Sequence, residues 1–215
     1  MKILVLDNYD SFTYNLVQLV EKVSPFQVDV ARNDAISLSQ ARAYDRVILS
    51  PGPGIPDEAG NMKELIRELA PEKSILGICL GMQGIAEVFQ GKLYNMSRVH
   101  HGVSSRIQVI LEDELFSGLP GTFRAGRYHS WAVDPHHLPG EMEVTAVDEN
   151  GIPMALRHRY YRVKGLQFHP ESVMTPLGAR MISNWLGSPQ HTLHMPGKED
   201  ESFQIDPVRK GYLFC

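Results

Sequence analysis

Four short segments of this chain carry residue types that can do chemistry together. Gly77-Ile78-Cys79-Leu80-Gly81 has the small-x-nucleophile-x-small pattern of a nucleophile elbow, with cysteine in the nucleophile position. Flanking glycines permit a tight strand-to-helix turn, and a helix N-terminus beyond it favours a thiolate. Alone, a cysteine in a buried strand is more often an inert small hydrophobe. A working thiol needs a base, and the base needs an orienter. Gln167-Phe168-His169-Pro170-Glu171 offers both. In extended backbone, residues two apart share a side, so Glu171 can fix the His169 ring; by itself this string is equally a surface turn. Ser50-Pro51-Gly52-Pro53-Gly54-Ile55-Pro56 is a rigid loop whose exposed amides can meet a developing oxyanion, or a plain Pro/Gly turn. It lacks the spacing and lysine of a phosphate loop. Arg127-Tyr128-His129-Ser130-Trp131 offers polar groups to a small substrate, or passes as a strand of mixed burial.

The surrounding pattern predicts what positions these segments. Residues 2–7 form a near-continuous apolar run, as expected of a strand buried on both faces. Asp10 or Ser11 is placed to cap a helix ending near Val23, whose apolar positions Phe12, Leu16, Leu19, Val20 and Val23 keep helical spacing. Strands are expected at 26–31, 46–49 and 74–78, with a helix from Gly60 or Asn61 to before Pro71 and another over 82–89. Alternating strands and helices argue for an α/β fold: a mostly parallel central sheet with helices on both faces. The second half reads differently. Strands at 106–111, 127–133, 142–147, 154–158 and 161–167, joined by Gly/Pro turns, predict antiparallel additions to that sheet. A last helix over 176–186 stops at Gly187. Beyond it, residues 188–215 are polar and aperiodic, expected as a mobile or surface-draped tail.

Composition narrows the function classes. The 215 residues suffice for one domain with a substantial core. A net charge of −4 gives no footprint for nucleic acid, and no Lys/Arg cluster points to a membrane surface. Apolar stretches are strand-sized, far short of a bilayer span, and the amino terminus does not read as a signal peptide. The two cysteines, Cys79 and Cys215, make no disulfide framework and fit a reducing cytoplasm. His136, His137, His191 and His194 lack the partners of a zinc site, so no metal is expected.

The order SPGPG, GICLG, FHPES, each at an expected strand end, resembles the class I glutamine amidotransferases over residues 1–187. The resemblance implies a cysteine that attacks the glutamine amide carbon, a glutamyl thioester, release of ammonia and hydrolysis of the thioester. It assigns Cys79 as nucleophile, His169 as general acid/base and Glu171 as its orienter. Backbone N–H groups of Gly52 and Leu80 match the oxyanion hole. Gly52, Pro53, Gly54, Gln83, Ser130 and Trp131 match glutamine-binding positions. Asp7-Asn8-Tyr9-Asp10-Ser11-Phe12-Thr13-Tyr14-Asn15-Leu16 and Arg127-Tyr128-His129-Ser130 resemble the amidotransferase components of anthranilate synthase and aminodeoxychorismate synthase. That implies a larger chorismate-binding partner subunit which receives the ammonia, with magnesium in the partner and no cofactor in this chain.

Three positions depart from that pattern. Met82 stands where histidine is usual, Trp131 replaces leucine, and Val103 ends a Val99-His100-His101-Gly102 segment that usually ends in lysine near the subunit contact. Met82 and Trp131 motivate a second reading, a non-catalytic regulatory or partner-binding subunit on the same fold. A third is a stand-alone γ-glutamyl hydrolase using the same triad.

Overall fold

A computed structural model describes residues 1–97 and 101–187. Residues 188–215, with Cys215, and residues 98–100 of the expected subunit-contact segment lie outside the described residues.

The apolar runs of the first half form β1 (Lys2–Asp7), β2 (Gln27–Arg32), β3 (Arg46–Leu49) and β4 (Ser74–Ile78). Between them lie α1 (Thr13–Val23), α2 (Leu38–Ala41) and α3 (Met62–Leu69), and α4 (Leu80–Val88) follows directly. The second half contributes β5 (Leu93–Asn95), β6 (Val103–Val109), β7 (Thr122–Arg127), β8 (Trp131–Val133), β9 (Met142–Asp148), β10 (Pro153–His158), β11 (Val163–Leu166) and α5 (Gly178–Leu186).

Nine strands make one sheet in the order β2-β1-β3-β4-β11-β10-β9-β6-β7. From β2 to β11 every pairing is parallel; from β11 to β7 every pairing is antiparallel. Side-chain alternation splits the parallel core between two layers. Ile3, Val5, Ile48, Leu76 and Ile78 face α1 and α5. Leu4, Leu6, Val47, Leu49 and Ile75 face α3 and α4. Burial on both faces explains why these strands read as continuous apolar runs.

The sheet positions the functional segments through one geometric fact. β3, β4 and β11 are adjacent and parallel, with Leu49 opposite Gly77 and Ile78 opposite Leu166. Their carboxyl ends therefore share one edge, separated by strand spacings of about 5 Å. The Ser50–Pro56 loop, Cys79 and the Gln167–Glu171 connection all leave from that edge, where ligands of open α/β sheets bind.

Several local expectations change. Phe12, not Asp10 or Ser11, occupies the α1 N-cap position, without a side-chain cap. The Asp7 carboxylate organises this turn instead, accepting from the Tyr9 and Asp10 N–H groups and the Thr13 hydroxyl. The expected strand 127–133 is two strands in two sheets. β7 pairs with β6 and ends at Arg127, whereas β8 pairs with β5 in a separate ribbon. Burial of the Arg127 side chain against Asp148 ends the first, and the chain turns through Tyr128–Ser130 toward the sheet edge. Gly187 does end α5, in a left-handed conformation with φ 64°. Neither α2, held by a Ser37/Gln40 capping box, nor the three-residue β5 was expected from the pattern. Among the described residues, no helix is long and apolar enough to cross a membrane.

Candidate active site

Cys79 sits between β4 and α4 with φ 51° and ψ −103°, a left-handed conformation for a residue with a side chain. Such strain costs about 1–3 kcal/mol and persists only when the surroundings enforce it. Here the Cys79 N–H is held by the Leu166 carbonyl at 2.7 Å, and its carbonyl accepts from Gln83 N at 3.1 Å. The flanking glycines serve a different purpose from the one expected. The positive φ belongs to Cys79 itself, and the glycines allow close approach. A Cβ on Gly81 would lie 2.6 Å from the Leu49 carbonyl oxygen, and one on Gly77 would run into the Gly81 backbone. Only glycine lets the start of α4 press onto β3 and β4.

The loop after β3 closes onto this elbow. A Cβ on Gly52 would lie 2.6 Å from Leu80 Cδ2 and 2.7 Å from Asn8 Cβ, so Gly52 is seated against the first residue of α4. Leading N–H groups of a helix have no intrahelical acceptor, so the Leu80 amide is placed to donate beside the Cys79 thiol. Asn8, buried, ties the loop to β1 by donating from its backbone N–H to Ser50 Oγ and from Nδ2 to the Ser50 carbonyl.

His169 and Glu171 meet as expected, with Nδ1 2.7 Å from Oε1, but not in extended backbone. β11 ends at Leu166, and the pair straddles a turn closed by Ser172 N–H donating to the His169 carbonyl. A single bridge to Gly126 pins His169, and the Thr175 hydroxyl also donates to its carbonyl. The ring is 2% exposed and lies edge-on to Tyr128 and Phe12, at centroid distances of 4.9 and 5.9 Å. Those two aromatics come from the RYHS and NYDSFT segments, which explains what both sequences build here.

Burial alone would push the His169 pKa down. Interaction with the Cys79 side chain and the hydrogen bond to Glu171, helped by the charges of both, outweighs it and raises the value from 6.5 to about 10. His169 Nε2 is buried without a well-aligned hydrogen bond, and Glu171 Oε2 is likewise unpartnered. A Cys–His contact that is poorly aligned without substrate is ordinary for such pairs. Asp10 lies nearby; burial outweighs the hydrogen bond it accepts from Phe12 N–H and raises its pKa, with the His169 charge opposing and the Glu171 charge adding to the rise.

Gln83, 3% exposed, donates through Nε2 to the Trp131 carbonyl at 2.9 Å and to Gln167 Oε1 at 3.2 Å. Trp131 thus joins the site by its backbone. The Ser130 carbonyl accepts from Met96 N. Pro53 and Gly54 are exposed on the loop rim, Gly54 with φ 72°. Met82 has no exposed surface and points away from this cluster: it fills the space over Gly165 of β11, where a Cβ would lie 2.6 Å from Met82 Cγ. Its departure from the usual histidine is a packing feature. The group that sequence reasoning passed over is Gln167, fully buried, whose Nε2 donates to Cys79 Sγ at 3.5 Å. Its signal was its place at the end of the expected strand 161–167, two residues before His169.

The arrangement can do thiol chemistry on a small amide: a strained thiol, a carboxylate-held imidazole, and backbone donors from two elements. The family model "Glutamine amidotransferase class-I" matches residues 4–187. Anthranilate synthase component 2 of Lactococcus lactis subsp. lactis (strain IL1403) is 45% identical over 186 residues, covering 86% of this chain and 93% of that one. Aminodeoxychorismate/anthranilate synthase component 2 of Bacillus subtilis (strain 168) is 43% identical over 186 residues, covering 86% and 95%. The crystal structure of a glutamine amidotransferase from Thermotoga maritima superposes with a TM-score of 0.66 over 87% of this chain and 81% of that one; at 20% identity this likeness speaks to the fold alone. With the family match running through all three strand-end segments, the chain belongs to the class I glutamine amidotransferases.

Proposed function

We propose that this chain is a glutaminase subunit that hydrolyses L-glutamine to glutamate and passes the ammonia to a chorismate-binding synthase subunit. The observation that carries the reading is the meeting of Cys79, His169 and Glu171 with the Gly52 loop at three adjacent strand ends. Cys79 Sγ attacks the amide carbon, and the oxyanion is held by the Gly52 and Leu80 N–H groups, each such donor being worth about 3 kcal/mol. The His169 imidazolium gives its Nε2 proton to the departing nitrogen, the C–N bond breaks, and ammonia leaves a glutamyl thioester. Water then attacks, His169 takes its proton, the C–S bond breaks, and glutamate departs with the thiol restored. Gln83, Ser130, Trp131 and the Pro53–Gly54 rim are the proposed partners of the glutamine backbone. The carrier of the ammonia is inferred from relatives named anthranilate and aminodeoxychorismate synthase component 2, and either synthase fits. Magnesium is assigned to the partner. The regulatory reading loses its motivation once Met82 is a core residue and Trp131 acts through its carbonyl.

A glutamine-mimicking electrophile tests the assignment. We expect stoichiometric label on Cys79 and loss of glutamate release in the presence of the chorismate-binding subunit. Mass spectrometry that finds the label mainly on Cys215 overturns it.

The pH dependence follows from His169. Its folded value, about 10, lies above the unfolded value near 6.5. Any stability it contributes is therefore fully present below about 6.5 and is lost as pH rises through about 10. The general acid disappears over the same alkaline range, so glutamine turnover should fall there. Glu171→Gln removes the anion that supports the imidazolium, and the alkaline limb should move down by roughly one to two pH units. An unmoved limb would show that Glu171 does not set the charge on His169.

A further inference from the structure

One fully buried side chain at the sheet edge has no part in the steps above. Gln167 is the first residue past β11, its N–H held by the Met154 carbonyl at 2.9 Å. Its carboxamide lies between Cys79 and Gln83 and is completely buried. Nε2 donates to Cys79 Sγ at 3.5 Å, and Oε1 accepts from Gln83 Nε2 at 3.2 Å.

The direction of these bonds is fixed by the Trp131 carbonyl, which can only accept. Arg127 can only donate. Its Nε donates to His129 Nε2 at 3.1 Å, which leaves the His129 proton on Nδ1. That proton goes to the Trp131 carbonyl at 2.8 Å. The same carbonyl accepts from Gln83 Nε2, so the Gln83 amide must point its nitrogen toward Trp131 and Gln167. Gln167 must then turn Oε1 toward Gln83, and its NH2 group is left facing the sulfur. Reversing Gln83 would set its oxygen against the Trp131 carbonyl, and reversing Gln167 would set its NH2 group against that of Gln83, leaving unsatisfied groups in a buried site either way. Gln83 is left with Oε1 as the part of its amide not committed to these bonds.

We propose that Gln167 is a positioning residue for the thiol site: its carboxamide donates to Cys79 Sγ and, through its oxygen, holds the Gln83 amide in the orientation that receives substrate. The two ends of one side chain thus serve two different tasks. The donor end favours the sulfur anion over the neutral thiol, because a hydrogen bond to a charged acceptor is stronger than one to a neutral acceptor. The acceptor end favours glutamine binding without touching the ligand. The other titratable groups around the thiol are His169 and Glu171 on the same connection and Asp10 from the loop after β1, while α4 presents Gln83.

This inference rests on the reading of Cys79 as the nucleophile, and the test separates the two. In a Cys215→Ser background, carboxymethylation of Cys79 is followed against pH without glutamine or partner. Gln167→Met removes both ends of the amide. The reaction midpoint should move up by about one pH unit, the effect of losing one hydrogen bond to a charged group, and the KM for glutamine should rise about tenfold with the partner present. Gln167→Glu keeps an oxygen for Gln83 but turns an anion toward the sulfur. Its midpoint should move up at least as far, with KM near that of the parent. A native circular dichroism spectrum with an unmoved midpoint in Gln167→Met overturns the proposal; if that variant does not fold, the midpoint of Gln167→Glu decides in the same way. Shifted midpoints in a protein that hydrolyses no glutamine would keep the positioning role and sink the glutaminase reading instead.

Discussion

Replacing Cys79 by alanine should abolish glutamine-dependent product formation, a loss on the order of a million-fold, while the ammonia-dependent reaction of the bound chorismate-binding subunit continues. The two halves of this expectation come from different parts of the structure. Nucleophile removal leaves only oxyanion and binding contributions, which cannot act without a bond-forming atom. The fold should survive, because the thiol is one small atom beyond Cβ at the rim of a well-filled core, and alanine meets the same backbone demand at φ 51°. Partner docking and the ammonia-dependent rate should therefore be unchanged. Product formation measured with glutamine and then with an ammonium salt separates the two. Retained glutamine-dependent turnover would remove Cys79 from the mechanism.

Asp148→Ala should be among the most destabilising single changes in the molecule, by about 3–5 kcal/mol. Arg127 has no exposed surface, and its Nη1 donates to Asp148 Oδ2 at 2.6 Å. Arg127 Nη2 already lacks a partner. Loss of the carboxylate leaves a buried cation with no paired anion, held only by neutral His129 and Ser105. The second oxygen, Oδ1, also accepts from Asn150 and Ile152 N–H, so the β9–β10 turn loosens as well. A fall in Tm of roughly 10 °C is expected. Adding Arg127→Met should recover part of the loss, since no unpaired charge remains. If the double variant is no more stable than Asp148→Ala alone, the orphaned charge is not the cause. Because Arg127 also orients His129, the single variant should weaken glutamine binding beyond its effect on folding.

Much of the site was legible in the chain. Continuous apolar runs gave β1, β3 and β4 within a residue, since strands buried on both faces leave no polar face to confuse the pattern. Parallel strands in alternation with helices then required that the segments following them share one edge. That grouped SPGPG with Cys79; the strand before His169 was expected among the antiparallel additions, and only its parallel pairing with β4 brings His169 to the same edge. Where one face is mixed or a turn intervenes, the pattern failed. Residues 127–133 alternate well enough for one strand, yet a buried Arg127–Asp148 pair ends the first sheet's claim on them. His169 and Glu171 have the spacing of an extended pair but meet across a turn, because i,i+2 spacing admits both geometries.

The sequence by itself determined the fold class and which residues compete for the chemistry, because burial pattern and order along the chain are local properties. Tertiary structure decided what each small residue is for. Gly77 and Gly81 are glycines because α4 touches the strands below it, and Met82 is apolar because Gly165 leaves it room. It also decided the direction of the hydrogen bonds that run from Arg127 to the Cys79 sulfur. The links that matter join groups 48 to 88 residues apart in the chain, Gln83 to Trp131, Gln83 to Gln167 and Gln167 to Cys79, and no spacing rule spans such distances.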